Sequence, residues 1–118
     1  MKIKDLTEEQ LDIIADNYPE WIAINCPEWM ANNRPEWFAN KRPEWMADNC
    51  SYWMTINRPE WMAKNRPDYM ANERPEWMAD NRPYWMADNR TDYMVSNRPD
   101  WMANNYPEVS AYILELLE

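Results

Sequence analysis

Apolar and polar side chains alternate in this chain with a period of eight residues. The pattern begins at Tyr18 and runs without insertion to Asn105, giving eleven units with the consensus Arg-Pro-Glu-Trp-Met-Ala-Asp-Asn. A degenerate unit precedes them (residues 11–17) and another follows (residues 106–111). Within each unit, positions two, five and six fall at helical i, i+3, i+4 spacing, which places Pro, Met and Ala on one stripe. The fourth position is aromatic throughout: Trp in nine units, Tyr69 and Tyr93 in the other two.

Each unit reads as a short helix. Proline suits the first helical position, where its missing N–H costs nothing and its φ is already correct. The acidic residue that usually follows it complements the helix dipole. Asn at position eight is the best non-glycine residue for a left-handed helix end, and the Arg before the next Pro is biased towards extended backbone. One long helix would lose about 3 kcal/mol at each internal proline. A β-solenoid would want β-branched residues, and position six offers only Thr55 and Val95. Ala elsewhere at that position implies close backbone approach on the inside of a coil. A single unit cannot bury its Trp, so stacked units are expected to do so.

The expected fold is therefore all-α: a compact right- or left-handed superhelix of octapeptide repeats with helical caps. Departures from consensus bear on its pitch. Cys26 and Cys50 replace Arg three units apart, as Tyr69 and Tyr93 replace Trp. Ile24 and Ile56 lie four units apart, as do Lys41 and Glu73. Substitutions that touch should vary together, so three to four units per turn are expected. The chain divides into an N-terminal cap (1–17), the array (18–105) and a C-terminal capping helix (106–118). Thr7 with Gln10 forms a capping box, followed by an apolar stripe of Leu11, Ile14 and Ala15. The last helix places Val109, Tyr112, Ile113, Leu116 and Leu117 on one side. It caps the stack, or it pairs with a second copy through Ile113, Leu114, Leu116 and Leu117.

Composition removes whole classes of function. There is no Gly, so no phosphate-binding loop, dinucleotide turn or nucleophile elbow can form. There is no His, the commonest general base and zinc ligand. No apolar run nears the roughly 18 residues of a membrane span, and the start lacks the apolar stretch of a signal peptide. A cytoplasmic location follows as an expectation, with Cys26 and Cys50 as reduced thiols. The net charge of −9 is uneven: residues 34–98 carry ten bases and ten acids, while residues 1–33 carry −5 and residues 99–118 carry −4. Direct nucleic-acid binding is not expected of a chain without a basic patch.

Candidate chemistries reduce to packing. The Trp ladder, with Arg beside it, has the elements of a base- or sugar-stacking platform, but an aromatic stripe at repeat spacing reads as packing. The methionines, from Met30 to Met102, are core filler rather than copper(I) ligands. Cys26 and Cys50 lack the further ligands that zinc requires. Carboxylates such as Glu36, Glu44, Glu60 and Glu76 repeat along the surface, and catalysis needs an asymmetric constellation. No enzyme, cofactor or metal is expected.

The Pro-x-x-Met-Ala-x-Asn rhythm from Tyr18 to Asn105 resembles short-unit helical solenoid proteins in general. Its Asn-Arg-Pro corners resemble the Asn-Pro corners of leucine-rich-repeat-variant proteins, whose units are about three times longer. Pentapeptide-repeat rods are similar in concept, although their residue pattern is not present. The solenoid geometry and the absence of a catalytic constellation point instead to a non-enzymatic binding, scaffold or inhibitory module with a protein partner and no membrane association. Tyr52, Ile56 and Tyr84, apolar where the consensus is polar, are the candidate partner surface. The alternative is an acidic nucleic-acid mimic, which would need its carboxylates uncompensated along one stripe.

Overall fold

The computed structural model describes the backbone of residues 2–117 and the side chains of residues 2–116. Among these the structure is all-α, a tandem series of short helices with no strand. A 3-10 turn (Ile3–Asp5) precedes α1 (Glu8–Asn17). There follow α2 (Pro19–Asn25), α3 (Pro27–Asn33), α4 (Pro35–Lys41), α5 (Pro43–Asn49) and α6 (Ser51–Asn57). The series continues with α7 (Pro59–Asn65), α8 (Pro67–Glu73), α9 (Pro75–Asn81), α10 (Pro83–Asn89), α11 (Thr91–Asn97), α12 (Pro99–Asn105) and α13 (Pro107–Leu117). The chain forms two compact units, residues 1–54 and 55–118.

One residue separates each helix from the next, and it serves both. The N–H of Arg90 donates to the Met86 carbonyl at 2.7 Å, closing α10, while its carbonyl accepts from the Met94 N–H at 3.1 Å, opening α11. These corner residues have φ between −133° and −138° and ψ between 49° and 64°. That ψ lies short of the extended region expected for the Arg positions. No described residue has positive φ, so the left-handed Asn expected at position eight does not occur. The corner residue takes the whole change of direction, and Asn stays helical. Its side chain finds other work: Asn81 Nδ2 donates to the Trp77 carbonyl at 2.9 Å, and Asn25, Asn33, Asn49, Asn65 and Asn89 do the same to their own Trp.

The N-terminal unit opens with the capping box: Gln10 N–H donates to Thr7 Oγ1 at 3.2 Å and Thr7 N–H to Gln10 Oε1 at 2.9 Å. Leu11 and Ala15 enter its core, followed by Ile22, Met30, Phe38, Met46 and Met54 at position five. In the C-terminal unit the core is Met62, Met70, Met78, Met86, Met94 and Met102, flanked by Ala63, Ala71, Ala79, Ala87, Thr55 and Val95. Positions five and six are thus buried, as their spacing predicts, except that Ala103 in the last repeat is exposed. The Trp residues are half-buried and Trp21 is exposed, so the fourth position is less enclosed than expected. Where Thr91 replaces proline, its hydroxyl donates to the Ala87 carbonyl at 2.7 Å. A proline there would offer that carbonyl no donor.

The C-terminal helix α13 packs on α12 and α11. Ser110 is buried and Ile113 half-buried, whereas Val109, Tyr112, Leu114 and Leu116 are exposed. The expected one-sided grouping is therefore divided: Ile113 turns inward and Val109, Tyr112 and Leu116 outward. The Leu117 side chain lies outside the described residues.

Candidate binding surfaces

Three corner arginines tie together repeats that are distant in sequence, each within its own compact unit. In the N-terminal unit, Arg34 Nη2 lies 3.1 Å from Asp12 Oδ1 and 3.4 Å from Asp16 Oδ1. In the C-terminal unit, Arg90 Nη2 donates to Asp68 and Asn72, both at 3.4 Å, and Arg98 Nη2 to Asp80 at 3.1 Å. The separations are 18 or 22 residues, which joins position one to positions seven and three of the third preceding repeat. Trp29 makes a similar reach, its indole N–H donating to Glu8 Oε2 at 2.9 Å.

The same guanidinium also covers the preceding Trp. Arg34 lies 5.5 Å from the Trp29 ring centroid, Arg66 5.6 Å from Trp61, Arg82 5.9 Å from Trp77 and Arg90 5.5 Å from Trp85. Its Nη1 donates to the neighbouring Asn carbonyl, as from Arg66 to Asn65 at 3.0 Å. One side chain thus shields an indole face, satisfies a helix-terminal carbonyl and anchors a remote carboxylate. These pairs were invisible in the sequence, because separations of 18 and 22 residues depend on the pitch of the coil.

Of the expected partner surface, Tyr52 is 75% exposed, and Ile56 is exposed on the same helix. Tyr84 is exposed but not isolated. Its ring meets Trp101 edge-on at 5.2 Å and Tyr106 at 6.4 Å, and its hydroxyl lies 3.4 Å from Asn105 Oδ1. It therefore belongs to an aromatic cluster with the last repeat. Sequence reasoning missed Ile24, which is 70% exposed at the same repeat position as Ile56. The signal was there, since both replace a polar residue.

Cys26 and Cys50 are half-buried free thiols. Burial raises the pKa of both, and the Glu28 carboxylate raises that of Cys26 further. No group of three or more Cys, Asp and Glu among the described residues is arranged to hold a metal ion, and no described helix is long and apolar enough to cross a membrane. No protein-family model, no curated protein and no solved structure matches this chain.

Proposed function

We propose that this chain is a non-enzymatic repeat protein, a rigid cytoplasmic module that binds another protein and scaffolds or inhibits it. Within each compact unit the repeats wind at about three per turn, the lower end of the range expected from sequence, because Arg34, Arg90 and Arg98 all reach the third preceding repeat. The observation that carries the reading is the placement of apolar side chains at positions the consensus makes polar. Ile24, Tyr52 and Ile56 stand exposed on an array in which Arg34, Arg90 and Arg98 are committed to packing. Such groups gain from being covered by a partner.

The test is site-specific photo-crosslinking in cell lysate, with benzoyl-phenylalanine at position 52 and, as a control, at position 36. One protein captured from position 52 and absent from position 36 supports the reading. Identical capture from both positions, or none, counts against it.

A second reading, the acidic nucleic-acid mimic, is favoured by one observation. The paired arginine side chains are 32–33% exposed, whereas their aspartate partners are 52–81% exposed. Packing withdraws part of the positive charge and leaves carboxylates in solvent. If the captured protein is released by duplex DNA and by salt, the mimic reading holds; if it stays bound, the scaffold reading does.

A further inference from the structure

Arg42 differs from the other corner arginines. Its guanidinium makes no hydrogen bond, ion pair or ring contact with any described residue. One difference lies 18 residues earlier. At that offset Arg34 finds Asp16, Arg98 finds Asp80 and Arg90 finds Asn72. Arg42 meets Ile24 instead, which accepts nothing, and the two side chains border a cleft of ≈ 240 Å³. Ala23 and Ile24 supply its apolar surface, Trp37 an aromatic wall, and Arg42, Lys41 and Glu20 its charges. Lys41 is itself a departure from the consensus Asn. The cleft lies wholly within the N-terminal unit and breaks the near-symmetry of the array.

We propose that this cleft binds the C-terminal residue of a partner polypeptide, one with an apolar side chain and a free carboxylate. Two cations against one carboxylate leave a single positive charge, which matches one carboxylate on the ligand. Arg42, free of other partners, can hold it through two parallel N–H···O bonds. The apolar side chain lies over Ala23 and Ile24 against Trp37. Glu20 accepts the last peptide N–H. Size narrows the ligand, because the space is below the roughly 300–1,000 Å³ of drug-sized pockets and suits one residue. An internal Asp or Glu uses its side chain for the charge and has no second, apolar one. Only a chain end carries both groups on one Cα, a recognised mode of peptide capture.

The proposal deepens the protein-binding reading and is tested apart from it. An acetylated hexapeptide of five Ser and a final Leu is titrated into ¹⁵N-labelled protein, as the free acid and as the C-terminal amide. The Trp37 indole N–H, assigned through Trp37→Phe, is the readout. The free acid is expected to shift it saturably, and the amide to bind at least tenfold more weakly. Ile24→Asp restores the consensus partner, recaptures Arg42 and should abolish binding while keeping the wild-type melting temperature or raising it. Arg42→Gln should abolish binding without closing the cleft. Equal binding of acid and amide, no saturable shift at millimolar peptide, or wild-type affinity in Ile24→Asp would each overturn the proposal. A photo-crosslinked partner that persists with Ile24→Asp would leave the broader reading intact.

Discussion

The guanidinium of Arg90 lies 5.5 Å from the centre of the Trp85 ring, and it reaches this position from the corner that closes the same helix. It simultaneously donates to the Asn89 carbonyl at 3.1 Å and pairs with Asp68 at 3.4 Å. Lysine can supply the charge but not the planar fork. Arg90→Lys should therefore cost about 1 kcal/mol, a fall of about 4 °C in melting temperature. Arg82→Lys should cost less, because the residue 18 positions before Arg82 is Lys64 rather than an acceptor. Equal losses at the two sites would show that the remote anchor contributes nothing.

Asn81 ends its helix in helical conformation, with its side chain bonded to the Trp77 carbonyl. A left-handed residue here would gain from glycine. A helical one loses about 1 kcal/mol in propensity, and the side-chain hydrogen bond as well. Asn81→Gly is expected to lower the melting temperature, as followed by circular dichroism, and an increase would restore the left-handed corner.

The eight-residue helical rhythm and the buried stripe of positions five and six were legible because both are local: proline fixes each start, and i, i+1 neighbours such as Met78 and Ala79 share the inward face. The corner was misassigned because two residues, Asn and Arg, were each able to absorb the turn, and local preference favoured the wrong one. Arg34–Asp16 and Arg42–Ile24 were not legible because they need the coil's pitch. Ile24 and Lys41 stood out separately against copies four repeats away, while the relation that matters runs across 17 and 18 residues to one cleft.

Cys26 and Cys50 should react slowly with iodoacetamide near neutral pH, since the thiolate is the nucleophile and burial disfavours it. Glu28→Gln removes a like charge and should speed Cys26 alone. The sign for stability follows by linkage. With the folded-state pKa above the ordinary value of 9.0, the thiols favour the folded form below that pH and lose this contribution as pH rises past it. Alkylation followed by peptide mass spectrometry resolves the two sites, and a Cys26 rate unmoved by Glu28→Gln would contradict the assigned cause.

The outward face of α13 carries Val109, Tyr112 and Leu116 at i, i+3 and i+7. If this face pairs two copies, wild-type protein should be dimeric by light scattering at high concentration, and Leu116→Glu should be monomeric with a melting temperature that no longer depends on concentration. A monomeric wild type removes the dimer and leaves α13 as a cap.

Arg34, Arg90 and Arg98 each pair with the third preceding repeat, and Arg98 with Asp80 offers the cleanest case at 3.1 Å. A double-mutant cycle of Arg98→Asp, Asp80→Arg and the charge-swapped double variant, followed by denaturant unfolding, measures it. The pair is partly exposed, so its coupling should be about 0.5 kcal/mol, with the swap recovering much of what each single variant loses. Strictly additive losses, together with an equal result for the unpaired control Arg98 and Asp88, would contradict an energetic link between Arg98 and the third preceding repeat.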